Sequence, residues 1–235
     1  MGRCIAGAET RSGTGLEAAA EASAPADDSA LVTLLPQRAA LWGVGQTLLV
    51  ADLHLGKCET FHGAGVPVPG GIHDETLGRL GEAIRVSGAQ RVLILGDLLH
   101  APAGNTTAMI DAVAAWRQEF SLPMQLVEGN HDRRVREAAE VWNIELLGAR
   151  HEEQGVLFTH APTPEIGESV YSWCGHLHPA IKIHGGRLPV KLACFHLSPT
   201  IGVLPAFSRL TAGAGLRRGP GDRVFAIAEG RVVEV

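Results

Sequence analysis

The chain contains 235 residues, of which 46% are hydrophobic and 19% are charged, and its formal net charge is −5. This composition supplies enough apolar side chains for a sizeable core and excludes a wholly disordered chain, while the acidic balance removes any argument for nucleic-acid binding from overall charge. No apolar stretch approaches the roughly 18 residues that a membrane-spanning helix needs, and the four cysteines form no CxxC pair, a pattern that favours a reducing, cytoplasmic compartment.

The chain is predicted to consist of a disordered N-terminal tail over residues 1–29 and a single folded domain over residues 30–235. The tail is rich in Ala, Gly, Ser and Glu and contains no large apolar cluster. From Leu31 onward, short β-type runs alternate with segments of helical period, which is typical of an α/β layered domain.

Five runs are predicted to be strands because each is too short for a helix: residues 47–51, 91–95, 124–127, 155–159 and 169–174. Three segments repeat apolar residues on one helical face: residues 74–86, 106–120 and 132–142. The Gly- and Pro-rich segment 58–73 is predicted to be a long loop. Near the end of the chain, residues 223–227 and 231–235 flank Glu229-Gly230 and predict a hairpin of a second sheet.

Polar side chains follow all five of these predicted strands, at the point where each strand ends. In open α/β sheets, groups just beyond the carboxyl ends of the strands converge on one crevice, so these side chains are expected to form one site. In chain order the candidate residues are Asp52, His54, Asp97, Asn130, His131, Asp132, His160, His176 and His178.

The candidate residues offer imidazole nitrogens and carboxylate or amide oxygens, without a thiolate. Such a donor set suits Mn, Fe, Zn, Co or Ni better than Ca or Mg. Seven of these residues, all except His131 and Asp132, are candidate metal ligands. Seven ligands exceed what one tetrahedral ion needs, but they suffice for two ions that share Asp97, a recurring arrangement for phosphoester hydrolysis. Two divalent ions outweigh the charge of two aspartates, so the site is expected to attract a phosphate ester and to attack it with a hydroxide that bridges the metals.

The ordered set DxH, GD, GNHD, H and GHxH resembles that of calcineurin-like metallophosphoesterases. The resemblance implies an α/β fold, a four-layer αββα sandwich of two mixed β-sheets flanked by helices. It implies that one metal takes Asp52, His54, Asp97 and His178, and that the other takes Asp97, Asn130, His160 and His176. His131 is then the catalytic histidine, which donates a proton to the leaving oxygen or steadies the phosphoryl group, and Asp132 sets its orientation.

Five further segments, within residues 34–235, are similar to the bacterial ligase-associated DNA-damage-response endonuclease branch: residues 34–36, 51–57, 65–69, 95–100 and 203–207. That resemblance implies DNA endonuclease activity in DNA repair and association with a DNA ligase and a helicase. The chain departs from the branch at Ala193 and His196, where Pro and Trp are expected. Both positions lie outside the metal motifs.

Four residues near the predicted ligands are candidates for substrate binding: Lys57, His100, Arg133 and Arg134. A solvated or packing role is an equal alternative for each of them. We expect a manganese-preferring phosphodiesterase, and the DNA substrate depends on the resemblance alone because no basic stripe with interleaved aromatic residues offers a stacking surface. The alternatives are a phosphatase or phosphodiesterase of nucleotides or other small phosphoesters, and a non-catalytic binding scaffold.

Overall fold

The computed structural model describes residues 19–22, 31–68, 72–163, 170–184 and 189–235. The first sheet runs in the order β1 to β7 and changes from antiparallel to parallel at β4. Its strands are β1 (Ala20–Ala22), β2 (Val32–Leu35), β3 (Ala39–Trp42), β4 (Thr47–Val50), β5 (Arg91–Leu95), β6 (Met124–Val127) and β7 (Ile144–Leu146).

The second sheet is also mixed and has the order β14-β11-β12-β13-β10-β9-β8, while β15 pairs with both β12 and β16. Strand β10 pairs in parallel with β9 and with β13. The strands are β8 (Arg150–Glu153), β9 (Val156–Thr159), β10 (Tyr171–Cys174), β11 (Pro179–Ile183), β12 (Val190–Leu197), β13 (Ile201–Val203), β14 (Ala214–Gly215), β15 (Arg223–Ala228) and β16 (Arg231–Glu234).

Alternation along the strands of the first sheet produces two buried cores. Leu48 and Val50 of β4 face the helical side of the sheet, whereas Leu49 faces Phe158 and Trp173 of the second sheet. Since side chains alternate between the two faces of a strand, a fully apolar strand is required where both faces are covered. The first sheet therefore lies between the helices and the second sheet.

Four α-helices are described: α1 (Lys57–Gly63), α2 (Ile72–Ser87), α3 (Thr107–Glu119) and α4 (Arg136–Trp142). The last three bury apolar faces in the core on the helical side of the first sheet. None of these helices is long and apolar enough to cross a membrane, a finding that covers the described residues only.

The prediction of two mixed sheets flanked by helices is confirmed. One detail of the four-layer sandwich differs: the described residues after 143 contain no α-helix, so they provide no helical layer on the outer face of the second sheet. Within the predicted tail, Ala20–Ala22 pairs antiparallel with β2, and residues 1–18 and 23–29 lie outside the described residues.

All five predicted strands are present, with bounds that differ by no more than two residues, and residue 169 lies outside the described residues. The helices predicted at 74–86 and 106–120 correspond to α2 and α3, and β15 and β16 form the predicted hairpin. Helix α3 begins where predicted because the Thr106 hydroxyl accepts a hydrogen bond from the Met109 amide, an N-terminal cap.

Two element predictions are wrong. The segment 58–73 is not one long loop, because α1 covers Lys57–Gly63 and buries Cys58; its Gly and Pro residues begin only at Gly63. The third helix begins at Arg136 instead of residue 132, because the Asp132 carboxylate accepts hydrogen bonds from the amides of Gly129 and Leu99. These bonds hold the preceding residues in turns.

Candidate metal centre

The candidate site lies where the carboxyl ends of β4, β5 and β6 meet those of β9 and β10. Backbone bonds hold these ends in register beyond the strands: the amides of Asp52 and His54 donate to the carbonyls of Gly96 and Asp97 at 3.0 and 2.9 Å. In the second sheet, the Gly175 amide donates to the His160 carbonyl at 2.9 Å. The sequence clusters therefore converge, as the strand-end argument predicts.

The side chains form two groups, in each of which one ligand atom per residue lies within 4.8 Å of the others. We call Asp52, His54 and His178 the Asp52 group, and Asp97, His160 and His176 the Asp97 group. Each group takes side chains from both sheets.

In the Asp97 group, several lone pairs point at one another. The Nδ1 of His160 lies 3.0 Å from the Leu95 carbonyl, which can only accept, so Nδ1 carries the proton and Nε2 presents its lone pair. That Nε2 lies 3.0 Å from Asn130 Oδ1, 3.0 Å from His176 Nδ1 and 3.4 Å from Asp97 Oδ1. Converging acceptors are what a cation requires, and a carbonyl that fixes the imidazole tautomer is typical of metal-ligating histidines.

In the Asp52 group, three buried atoms have no hydrogen-bond partner among the described residues: Asp52 Oδ1, His54 Nδ1 and His178 Nε2. Leaving one buried acceptor unpaired costs about 1–3 kcal/mol, so these unpaired atoms within one group of side chains call for an explanation. Asp52 Oδ1 and His178 Nε2 lie 3.2 Å apart. A divalent cation satisfies this donor set, and the residues present therefore fit a metal.

Asp97 lies between the two groups. Its Oδ1 accepts from the His131 amide at 3.0 Å and faces His160, while its Oδ2 lies 3.9 Å from His54 Nε2. The two carboxylate oxygens thus face different groups, which is the geometry that a bridging ligand needs.

Backbone strain is concentrated at the site. Ten non-glycine residues of the described chain have positive φ angles, and half of them are candidate ligands: Asp52, His54, Asp97, His176 and His178. Such conformations cost of order 1–2 kcal/mol each for an L-residue and persist only where the surrounding structure enforces them. The fold therefore maintains these side-chain directions at the expense of stability.

Two glycines leave room for the ligands. Gly96 has φ +79°, and a Cβ there would overlap the His160 ring. A Cβ on Gly175 would lie 2.6 Å from Asp52 Oδ2. Any side chain at either position would displace a candidate ligand.

The pKa shifts of the two buried histidines run in opposite directions. Burial lowers the pKa of His54 to about 3, against the opposing charge of Asp97, so His54 stays neutral and keeps a free lone pair. Burial also disfavours charge on His160, but the hydrogen bond to Asp97 outweighs it and raises the pKa of His160. Positive charge is thus stabilised beside Asp97, where the lone pairs converge.

His131 lies at the open side of the centre, with its side chain 39% exposed and its Nε2 3.9 Å from Asp97 Oδ2. Its ring partner differs from the expectation: Nδ1 contacts the His100 carbonyl at 2.6 Å. Asp132 is buried and binds the backbone amides of Gly129 and Leu99, so it fixes the loop that carries His131 instead of the ring itself. The His100 and His131 rings are stacked at 5.6 Å.

The remaining substrate-binding candidates differ in burial and in position. Lys57 is half-buried, and its Nζ contacts Thr211 Oγ1 at 3.3 Å. Arg133 and Arg134 are exposed in the turn before α4, so they do not open a helix as predicted. His196, at one departure from the resemblance, contacts Asp222 at 2.7 Å and belongs to neither ligand group.

Sequence reasoning missed three cations, Arg38, Lys191 and Arg209, that line a cavity beside His178. They come from three distant segments and belong to no motif. Only the arrangement of the loops around β11 and β12 brings them together.

Two mixed sheets flanked by helices, with paired Asp/His groups at their shared edge, support a metal-dependent phosphoesterase. No protein-family model and no curated protein sequence matches it. Among solved structures, the nuclease MPE of Pseudomonas putida superimposes with a TM-score of 0.77 and 26% identity, over 92% of this chain and 100% of that one. Yfce, a phosphoesterase from E. coli, is 16% identical over 80% of this chain and 97% of that one, with a TM-score of 0.44.

Proposed function

We propose that the chain is a phosphodiesterase that cleaves DNA at a binuclear metal centre. The observation that carries the proposal is the position of Asp97, whose two carboxylate oxygens face two separate groups of metal-ligating side chains. One ion would be held by Asp52, His54, Asp97 and His178, and the other by Asp97, Asn130, His160 and His176. Bound divalent ions would neutralise the phosphate and activate a solvent nucleophile.

His131 is proposed as the proton donor to the leaving oxygen. Because its Nδ1 donates to the His100 carbonyl, the ring must carry a second proton on Nε2 to act as an acid. That Nε2 lies 3.9 Å from Asp97 Oδ2, on the side of the proposed metals. The proton then passes from Nε2 to the leaving alkoxide, and Asp132 positions the loop from behind.

The metal is proposed to be manganese, with Fe, Zn, Co or Ni as competitors. The ligand set contains nitrogen and oxygen only, which supports this group of metals. Cys174, next to the GHxH segment, does not alter the set, since burial raises the pKa of its thiol to about 12 and keeps it from forming a thiolate.

DNA as the substrate is supported by the likeness to a nuclease at 26% identity over the full length of that chain. A role in DNA repair and association with a DNA ligase and a helicase belong to the same proposal and are supported by the resemblance of residues 34–36, 51–57, 65–69, 95–100 and 203–207. A cytoplasmic location is proposed from the four scattered cysteines. Co-purification of a ligase or helicase with the tagged chain tests the association.

The ligand assignment is tested by comparing Asp97→Asn with His131→Ala. Asp97→Asn should lose metal from both positions, because it removes the shared carboxylate charge. His131→Ala should keep its metal and lose roughly 10²–10⁴-fold in turnover, the usual contribution of a general acid. Elemental analysis and hydrolysis of bis(p-nitrophenyl) phosphate measure the two effects. Equal metal content in the two variants would contradict the assignment of Asp97.

The substrate is tested with plasmid DNA. The wild-type protein should nick or linearise the plasmid in the presence of Mn²⁺, while Asp97→Asn purified in the same way should not. Hydrolysis of nitrophenyl phosphates without DNA cleavage above this control would assign the chain to small phosphoesters instead.

A further inference from the structure

A cavity of about 220 Å³ opens beside His178 of the Asp52 group. Three cationic side chains line it, those of Arg38, Lys191 and Arg209, and no carboxylate does so among the described residues. The formal net charge of the chain is −5, so this concentration of positive charge runs against the overall balance. Local cationic clefts of this kind raise the concentration of anions next to a site.

The cavity is fixed relative to the proposed metal ligands on both sides. On one side, the Arg38 Nη1 donates to the carbonyls of Ala206 and Ser208 at 3.0 Å each, and the Ser208 amide donates to the Asp52 carbonyl at 3.1 Å. On the other side, the Ala214 amide donates to the His178 carbonyl at 2.8 Å, next to Gly213, whose carbonyl binds Lys191. An anion in the cavity would therefore lie at a constant position from the Asp52 group.

The positive charge of the cavity is only partly neutralised. Glu75 pairs with Arg209 at 2.8 Å, but the same carboxylate also pairs with the buried Arg79 at 3.3 Å. Burial and the charge of Arg209 lower the pKa of Arg38, with Glu75 acting in the opposite direction. Glu75 is thus shared between Arg79 and Arg209, and Glu82 also acts on Arg79, while Lys191 of the cavity binds a backbone carbonyl. This arrangement leaves a preference for a further anion.

We propose that this cavity binds the phosphate that neighbours the scissile one, so that the preferred substrate carries successive phosphodiester groups, as an oligonucleotide does. This inference rests on the proposed hydrolysis at the metal centre and specifies its substrate. The volume supports a phosphate with part of its sugar, since pockets for whole drug-sized ligands begin at roughly 300 Å³.

The test uses the double variant Lys191→Ala/Arg209→Ala, which leaves Arg38 and its backbone bonds intact. Its control, Arg85→Ala/Arg231→Ala, removes the same charge away from the cavity, and Arg85 pairs with Glu119 as Arg209 does with Glu75. The kcat/KM for a single-stranded DNA oligonucleotide should fall at least about tenfold in the cavity variant, since two charge-assisted contacts are lost. The kcat/KM for bis(p-nitrophenyl) phosphate should change less than about twofold, because this substrate has no second phosphate for the cavity cations to bind. The control should leave both values unchanged.

A second readout does not depend on catalysis. Calorimetry on chelator-treated protein with thymidine 3′,5′-bisphosphate should detect binding to the wild type and to the control, with a loss in the cavity variant. For DNA, the slope of log K against log salt should become shallower by about 0.7 for each cation removed.

An equal loss on both substrates, an unchanged kcat/KM for DNA, or unchanged bisphosphate binding would each overturn the inference. If the wild type cleaves no DNA, the proposed function fails by itself, and bisphosphate binding still decides whether the cavity is a phosphate site.

Discussion

The candidate ligands Asp52, His54, Asp97, His176 and His178 share a left-handed backbone conformation. Most side chains avoid it, because the Cβ approaches the carbonyl oxygen too closely. Here the conformation turns successive polar side chains inward at the ends of strands, where an extended backbone would alternate them between the two faces. At the scale of single residues, the site is thus built by backbone angles as much as by side-chain identity.

Gly96→Ala should cost more than backbone strain alone. A Cβ at Gly96 would overlap the His160 ring, whereas a Cβ at Gly65, which also has positive φ (+73°), would meet nothing within 4 Å. We expect Gly65→Ala to cost about 1–2 kcal/mol. Gly96→Ala should lose more stability and also metal affinity. Urea denaturation and metal titration measure both quantities, and similar results for the two variants would refute the steric role of Gly96.

The low pKa of His54 predicts acid sensitivity of the metal-free protein. Burial holds the folded pKa at about 3, below the ordinary histidine value of 6.5. As the pH falls through 6.5, the unfolded chain takes up a proton that the folded chain refuses, so stability decreases from there toward pH 3. The slope is up to about 1.4 kcal/mol per pH unit for one group.

His54→Gln should flatten this slope, and His151→Gln, in β8 outside the centre, should retain it. The raised pKa of His160 acts in the opposite direction in all three proteins, so the comparison isolates His54. The measurement is urea denaturation with chelator present, between pH 7 and pH 4. Parallel curves for the wild type and His54→Gln would contradict the role of burial.

At the scale of elements, α3 and α4 are joined by a buried arginine. Arg117 of α3 donates from Nε to the Trp142 carbonyl at 2.8 Å and from Nη1 to the carbonyls of Phe120 and Leu122. It is only 8% exposed. The guanidinium therefore binds carbonyls at the carboxyl ends of both helices and in the segment that leads into β6.

Arg117→Met should lower the free energy of unfolding by about 2–4 kcal/mol, because several buried carbonyls lose their donor. Arg85→Met is the matched control: Arg85 is exposed and pairs with Glu119, and such surface pairs contribute about 0–1 kcal/mol. Urea denaturation of both variants measures the two losses in the free energy of unfolding. A small effect of Arg117→Met would show that water replaces the guanidinium.

The elements and the ligands could be predicted from the sequence because their signals are local. Apolar runs such as Arg91–Leu95 identify strands, and the polar residue after each run marks the edge where they converge. The partner of the His131 ring could not be predicted, since a backbone carbonyl such as that of His100 leaves no trace in residue type. The cavity of Arg38, Lys191 and Arg209 depends on contacts between distant loops, which no spacing rule encodes.

At the scale of the whole molecule, the centre connects the two sheets. The Asp52 group takes Asp52 and His54 from the ends of the first sheet and His178 from the second, and the Asp97 group takes Asp97 from the first and His160 and His176 from the second. A ligand that binds only the folded state stabilises it by mass action. Ions at these positions therefore stabilise the packing of one sheet against the other.

Chelation should lower the melting temperature. Each site stabilises the fold by about 2.7 kcal/mol when the free metal exceeds its Kd a hundredfold. Hydrogen exchange should then accelerate in β9 and β10, next to His160 and His176. Asp97→Asn, which lacks the shared carboxylate, should respond little to the chelator. A chelator-induced shift as large in this variant as in the wild type would argue against metal between the sheets.

The division of each ligand group between the two sheets also affects biosynthesis. While the chain emerges from the ribosome, Asp52, His54, Asp97 and Asn130 are made first, and the second sheet supplies its histidines only from His160 onward. Neither group can close until that later part of the chain has folded against the earlier part. An incomplete translation product or an N-terminal proteolytic fragment therefore lacks a closed centre.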